Sequence, residues 1–503
     1  MNRARSEELL GVALPDPNIY ARVLIIETEA TTPHFETSLE IAQQFIDEGS
    51  AVTYDFVGDA VPFRQFTPSH DEFRRRRCRE AILKGIGLVD GERFHGRFVD
   101  AIEDEVSVPA IPETQEELRR VMIAGFPLGL SSTSSLISKL RNPYFTPRDP
   151  DIEPLLQDAM LSGALLYEYT CRRIAETRAD LVVAFNGRFV HSSAIHHAAV
   201  DADVAWALHE RSVDEDCFTL RLRSTPHGLG DEMLVRSWNQ EQQNPLRLVR
   251  ARRRALEGLS AAHAHASERG YWDHWSDDVR LPEGVEKWAA YFNSSLSEYA
   301  AVAESRFAPW ESEIAAVEAL VDQAELAGWG VVLRLHPNLQ NMHPTETDAW
   351  QDRFGGRRSV LVVSPEDPLS SYALLRRIDL VATGWSTIGR EAALAGLPVV
   401  CVAQSEWQIA LGLLRATDVD DFRMVLSRPP EAIPLDDALV AFHRPLEEAC
   451  LRFQYFVPTA LKEGRFKGVD LDPKGRRRKP RSRKFDRARR AASRIGSFSK
   501  RFS

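Results

Sequence analysis

The chain alternates short apolar runs with amphipathic stretches of helical period, and it does so in two separate series. Arg22–Glu27 (RVLIIE) is an apolar run of the buried-strand type. Phe35, Leu39, Ala42, Phe45 and Ile46 then recur at helical spacing. Gly49 stands where that helix would end, and Ala51–Val57 (AVTYDFV) reads as the next strand. Strand, helix and strand in this order predict parallel pairing through a right-handed crossover. Leu181–Asn186 (LVVAFN) is another buried-type strand, with Ser192–Ala202 reading as helix and Val204–Leu208 as a further strand.

The second series starts near Trp288, in a strand that ends at Tyr291-Phe292-Asn293-Ser294-Ser295. Glu313–Leu326 reads as an amphipathic helix and Gly330–Leu335 as a strand leading into His336-Pro337. Val360–Val363, Asp379–Thr383 and Pro398–Ala403 read as strands, with helices over Pro368–Arg377 and Ile388–Ala395. The pattern predicts an α/β fold of two doubly wound, Rossmann-like domains. Their expected ranges are residues 1–285, with helical insertions, and 286–465. Residues 61–120 are charged and irregular, with an arginine run at Arg74–Arg77, and read as an insertion or a helical layer. Residues 236–285, rich in Arg, Ala, Gln and His, read as helices at the domain junction.

Charge divides the chain unevenly. The formal net charge is −10, but residues 474–503 hold 14 basic residues and a single acid, Asp486. Setting that +13 aside leaves −23 on residues 1–473. Residues 466–503 are expected to be a disordered basic tail outside both domains. Hydrophobic content of 44% and charged content of 27% describe ordinary globular domains. No apolar run reaches the roughly 18 residues of a membrane span, and no secretory signal is expected at the N-terminus. Five scattered cysteines without a CxxC pair fit neither a disulfide framework nor a zinc site. These features fit a cytoplasmic protein.

In open parallel sheets, ligands bind beyond the carboxyl ends of the strands. The sharpest constellation there is Thr383-Gly384-Trp385-Ser386-Thr387, followed by Glu391 and by Gly396-x-Pro398. Free backbone N–H groups with the Ser386 and Thr387 hydroxyls suit a phosphate, and Glu391, one turn later, suits ribose hydroxyls. A capped helix with a solvated glutamate would show the same spacing. Arg334 and His336 share one side of a strand end, where Arg334 could hold phosphate oxygens and His336 could donate a hydrogen bond or carry a proton. An ion-paired arginine and a structural histidine are the alternative. Ser294 and Ser295 could wrap a phosphate or cap a helix.

In the first half, Asn186-Gly187-Arg188, His209-Glu210-Arg211 and Pro226-His227-Gly228 lie at or near strand ends. Glu210 is the candidate general base, and Arg188 or His227 could bind an anionic substrate. His196-His197 and His263/His265 lack a ligand set, so no metal site is expected. No GxxxxGK[ST], HExxH, GxSxG or GxGxxG pattern occurs, which argues against P-loop enzymes, zincins, serine hydrolases and ordinary dinucleotide dehydrogenases.

The ordered set Asn293-Ser-Ser, Arg334-x-His336-Pro337, Ser371-Tyr372-x-Leu-Leu, Thr383-x-x-Ser386-Thr387-x-x-x-Glu391-Ala and Gly396-x-Pro398 resembles the capsule polysaccharide biosynthesis proteins. These are GT-B-type glycosyltransferases, akin to Kdo transferases and CDP-glycerol glycerophosphotransferases. The match covers roughly residues 290–405, with looser likeness at the helix from Thr32 and at Phe185-Asn-Gly-Arg. The resemblance implies that the second domain binds a nucleotide-activated sugar, with Arg334, His336, Ser386 and Thr387 on its phosphates and Glu391 on its ribose. The first domain would hold a surface polysaccharide or lipid-linked glycan acceptor. Glu210, Arg188 and His336 are the catalytic candidates. No resident cofactor or metal is expected, the nucleotide sugar being a co-substrate.

Two other readings remain: a sugar-nucleotide epimerase of the same fold, and a non-catalytic glycan-binding or scaffold protein. The basic tail is expected to tether the enzyme peripherally to an anionic membrane surface. The only aromatic residues among its arginines at 474–503 are Phe485, Phe498 and Phe502, which form no platform for base stacking, so no nucleic acid partner is expected.

Overall fold

The computed structural model describes residues 14–16, 18–66, 72–212, 217–225, 276–295, 307–435, 437–438, 451–456, 461–462 and 465–466. The expectations for residues 236–275, Pro226-His227-Gly228, His263/His265 and the basic tail beyond Phe466 lie outside these residues, while Phe466 itself pairs in a short strand with Leu461.

Two sheets organise the chain. The first contains β1 (Arg22–Glu27), β2 (Ala51–Phe56), β3 (Phe94–Phe98), β4 (Leu181–Phe185), β5 (Ala205–Arg211) and β6 (Cys217–Leu222). β3-β2-β1-β4-β5 run side by side and parallel, with β6 antiparallel on β5. The second contains β7 (Lys287–Phe292), β8 (Trp329–Arg334), β9 (Val360–Val363), β10 (Leu380–Thr383), β11 (Val399–Cys401) and β12 (Leu414–Arg415). Its order is β9-β8-β7-β10-β11-β12, all parallel. Both sheets therefore wind outward from their first strand and then jump back past it. This gives the Rossmann topology twice, as in the GT-B type, with one switch point between β1 and β4 and another between β7 and β10.

The sequence periodicity explains the layers. Along β1, Val23 and Ile25 pack into one buried cluster with Phe35, Leu39 and Phe45 from the helix His34–Asp47, while Leu24 and Ile26 pack into another on the opposite face. The second sheet behaves alike. Tyr291 and Leu333 meet Val317, Leu320 and Val321 of the helix Glu313–Leu326, while Ala290 and Val332 meet Leu374 and Ala392. Continuous apolar runs are what strands covered on both faces require. Ser312 starts the helix Glu313–Leu326 by accepting the Ala315 N–H at 3.1 Å.

Three elements carry weaker sequence signals. β3 (FHGRF) is an edge strand whose three middle residues are exposed, so it has no apolar run. The helix Leu128–Leu140 buries five consecutive polar residues, Ser131–Ser135, and so lacks an apolar stripe. Ser131 Oγ donates to Ser193 Oγ at 2.8 Å and Ser135 Oγ accepts the Val190 N–H at 2.9 Å, tying it to the helix Val190–Asp201. Finally, β13 (Leu451–Arg452) falls inside the range expected for the second domain yet pairs with β6 of the first sheet. No helix among the described residues is long and apolar enough to cross a membrane.

Candidate functional site

At the first switch point the strand ends carry three histidine–carboxylate pairs. Glu27, the last residue of β1, is fully buried. Its Oε1 accepts the Thr28 and Glu29 N–H groups, both at 2.9 Å, and its Oε2 lies 3.5 Å from His209 Nε2 of β5, also fully buried. Glu29 Oε1 lies 3.4 Å from His191 Nδ1, at the start of the helix Val190–Asp201. Burial pushes the Glu29 carboxyl above its ordinary range, with His191 opposing. In the third pair, His34 Nδ1 is 3.9 Å from Glu210 Oε1. Burial lowers the His34 imidazole to about 4, with the Glu210 charge opposing.

The turn after β4 shapes this edge. Asn186 and Gly187 both adopt positive φ, 55° and 79°. Its φ favours glycine at Gly187, where a Cβ would also lie 2.3 Å from Leu208 Cδ1. The turn lets Asn186 Nδ2 donate to Glu210 Oε2, while the Arg211 N–H donates to Glu210 Oε1 at 2.9 Å. The Arg188 N–H donates to Asn186 Oδ1 at 3.1 Å, and the Arg188 guanidinium lies 4.5 Å from the centre of the Phe189 ring. Glu210 and Arg188 therefore belong to one polar turn. The carboxylates Glu27 and Glu29 and the histidines His34 and His191 were not singled out from sequence. The signal for the first two was present: RVLIIE-T-E closes an apolar strand with two carboxylates.

At the second switch point, side chains lock three neighbouring strand ends together. Asn293 Oδ1, after β7, accepts the His336 N–H at 2.6 Å, after β8. Thr383 Oγ1, closing β10, donates to the Phe292 carbonyl of β7 at 2.8 Å. Glu313 Oε1 accepts both the Tyr291 hydroxyl, at 2.8 Å, and the Ser294 N–H, at 3.2 Å. Ser294 and Ser295 are buried, and Ser294 Oγ has no hydrogen-bond partner. His336 Nδ1 accepts the Asn338 N–H at 3.1 Å and so starts a short 3-10 helix. Arg334 has turned inward. Its guanidinium donates to the carbonyls of Ser364, at 2.6 Å, and Asp367, at 3.1 Å, and burial lowers it to about 10. It anchors the loop after β9.

The turn after β10 leads into the helix Ile388–Leu394. Ser386 is half-buried and Thr387 exposed, and the Thr387 hydroxyl makes no capping bond. Gly389 permits the helix to sit close, since a Cβ there would lie 2.4 Å from the Trp407 ring and 2.7 Å from Thr383 Cγ2. Glu391 is buried and hydrogen-bonded to the Tyr372 hydroxyl, and burial raises its carboxyl above the ordinary range.

The two edges meet. The helix Leu128–Leu140, bonded through Ser135 to the residue that follows the β4 turn, runs on to Arg141. The Arg141 carbonyl accepts the His343 N–H at 2.7 Å, its guanidinium donates to the Asn341 carbonyl at 3.3 Å, and Thr345 Oγ1 donates to Asn142 Oδ1 at 3.4 Å. The segment 141–142 of the first domain thus abuts the segment 341–345 that follows β8.

No protein-family model matches the chain, and no curated protein matches it in sequence. Solved structures similar to it include a beta Kdo 2,4 transferase, KpsC of Thermosulfurimonas dismutans, at 14% identity and a TM-score of 0.32 over 52% of this chain and 79% of that one. A UDP-GlcNAc 2-epimerase of Methanocaldococcus jannaschii, solved with UDP-GlcNAc and UDP, matches at 11% identity and a TM-score of 0.29 over 84% and 98%. A beta Kdo 2,7 transferase, again KpsC of Thermosulfurimonas dismutans, matches at 15% and 0.31 over 58% and 83%.

Proposed function

We propose that the protein is a glycosyltransferase that moves a sugar from a nucleotide-activated donor to a surface polysaccharide or lipid-linked glycan. The observation that carries this reading is the pairing of two unlike switch points. One is lined by acid–base pairs and the other by hydroxyls and backbone turns, and Arg141 and Asn142 join the domains that carry them. Such a division suits a reaction in which one domain binds an anionic donor and the other activates an acceptor.

On this reading Ser294, Ser295, Ser386 and Thr387 hold the donor phosphates and Glu391 accepts ribose hydroxyls. His336 donates to the departing phosphate, while Arg334 shapes the pocket through the loop it anchors. Arg188 faces an anionic acceptor, and Glu210 serves the acid–base step. Donor charge is balanced by fixed dipoles and hydroxyl donors, without a resident cofactor. The basic tail would hold the enzyme at an anionic membrane. Anionic lipid attracts such a segment by about 1 kcal/mol for each basic residue near the surface, while the acidic body is repelled. Deleting 474–503 should abolish binding to phosphatidylserine vesicles and spare nucleotide binding, and a loss of both would refute the division of labour.

A thermal-shift screen against UDP-, GDP-, CDP- and CMP-sugars tests the core reading, because a ligand that binds only the native state raises its melting temperature. Stabilisation by one nucleotide class, lost in Glu391→Ala, is expected. Conversion of the bound donor without any acceptor would instead mark an epimerase. No stabilisation by any sugar nucleotide would sink the proposal.

A further inference from the structure

We propose, building on the transferase reading, that His34 is the catalytic base for the acceptor hydroxyl, and that Glu210 is a positioning residue that orients the His34 ring. Both Glu210 oxygens already accept hydrogen bonds, Oε2 from Asn186 Nδ2 and Oε1 from the Arg211 N–H. Both oxygens are thus engaged in holding the turn after β4. His34 Nδ1, by contrast, is buried without a hydrogen-bond partner, 3.9 Å from Glu210 Oε1. A separation of this kind closes to a hydrogen bond when substrate compresses the site. With Nδ1 committed to Glu210, Nε2 is the nitrogen left for the acceptor.

The surroundings fit a sugar. The His34 ring lies on Phe185 with centroids 4.0 Å apart, and Phe185 continues into Phe66 and Phe189 at 6.2 and 6.3 Å. Phe66 is 37% exposed, so this aromatic wall reaches the surface beside the base. The His34 side chain keeps 14% of its exposure and Glu210 20%, enough for access. The charged and titratable groups around the imidazole are Glu210, His209 and Arg211 of β5 and Glu27 of β1. Burial outweighs the two carboxylates, so the free ring is neutral at physiological pH, and it gains basicity when its Nδ1–H pairs with the Glu210 carboxylate.

In the step, the acceptor oxygen bonds to the anomeric carbon as the bond from that carbon to the phosphate oxygen breaks. The electron pair leaves with the nucleotide phosphate. The hydroxyl proton passes to His34 Nε2 and is then lost to water.

The test uses the full chain, the sugar nucleotides of the screen and a membrane glycolipid extract as acceptor. His34→Ala should bind donor with unchanged affinity yet release nucleotide about 100- to 10,000-fold more slowly, and added imidazole should restore part of the rate. Glu210→Gln should lose less rate and displace the acidic limb of the pH profile, while His34→Gln, which preserves side-chain bulk, should be as slow as His34→Ala. Wild-type rates in His34→Ala overturn the assignment and leave the transferase reading intact. Equal loss of donor affinity in both His34 variants also overturns it, because the role is then structural. Failure of the wild-type protein to release nucleotide from any donor it binds overturns the transferase reading, and this assignment with it.

Discussion

The Glu40 carboxylate accepts the Phe456 N–H at 2.8 Å across 416 positions of chain. The same carboxylate accepts the N–H groups of Gln454, at 2.8 Å, and Tyr455, at 2.9 Å, and the Gln44 amide at 2.6 Å. It thus clasps the segment that follows β13 onto the first domain. Burial raises Glu40 to about 7, with the donors from Phe456, Gln44 and Gln454 opposing and Asp47 reinforcing. A carboxyl raised in the folded state contributes stability that is complete below its ordinary value and fades as pH rises through the folded one. Amide exchange at 454–456, corrected for intrinsic rates, should therefore be slower at about pH 5.5 than at pH 8. Glu40→Gln should remove that dependence and Glu40→Ala should remove the protection. Retained protection in Glu40→Ala would show that β13 alone holds the segment.

Glu391 and Tyr372 form the corresponding pair in the second domain. Burial raises the Glu391 carboxyl, while Arg390 and the Tyr372 hydroxyl oppose it. Only the ionised form accepts two ribose hydroxyls, so nucleotide affinity should fall as pH drops toward that raised value. Tyr372→Phe removes a donor to the carboxylate and should move the limb to higher pH. Glu391→Gln should flatten it and weaken binding about 10- to 100-fold, the worth of a charge-assisted hydrogen bond. Calorimetric titration across pH decides the matter. Superimposable curves for wild type and Tyr372→Phe would remove Glu391 from the ribose site.

The strand ends were legible because covered parallel strands leave uninterrupted apolar runs. Asn186, Glu210, Asn293, His336 and Thr383 all stand where such runs stop. Partners supplied by distant chain were not legible. Nothing near Glu210 announces that His34, at the start of a helix far earlier, lies beside it. Nor does RxHP spacing reveal that Arg334 turns away toward the Ser364 and Asp367 carbonyls. β3 and the serine-rich helix Leu128–Leu140 escape period analysis for opposite reasons, one being too exposed and the other burying polar residues.

Glu27 and His209 make a second use of a buried carboxylate. Glu27→Ala would strand the Thr28 and Glu29 N–H groups along with His209, and should cost on the order of 3 kcal/mol in urea unfolding. Glu27→Gln keeps an acceptor for those N–H groups and should cost about 1 kcal/mol. Equal costs would mean that the N–H groups, and hence the β1 turn, do not depend on this side chain.

Burial of His196 works against the fold as pH falls. Its ring is buried beside His197 and Trp206, at 4.1 and 4.9 Å, and its Nδ1 lies 3.2 Å from the Ser192 carbonyl. Burial lowers it to about 3, and His197 falls below its ordinary value for the same reason. The unfolded chain takes up a proton below about pH 6.5, whereas the folded site does not until far lower. Stability therefore drops as pH falls, by up to about 1.4 kcal/mol per pH unit for each such group. Glu29 and Glu40, raised in the folded state, tilt the balance the other way, so the total slope is a difference. His196→Phe keeps a ring of similar size and removes one titrating group. Between about pH 6 and 5 its unfolding free energy should fall less steeply than that of the wild type, by close to one proton's worth. Parallel slopes for the two proteins would show that the buried imidazole is already protonated in the native state.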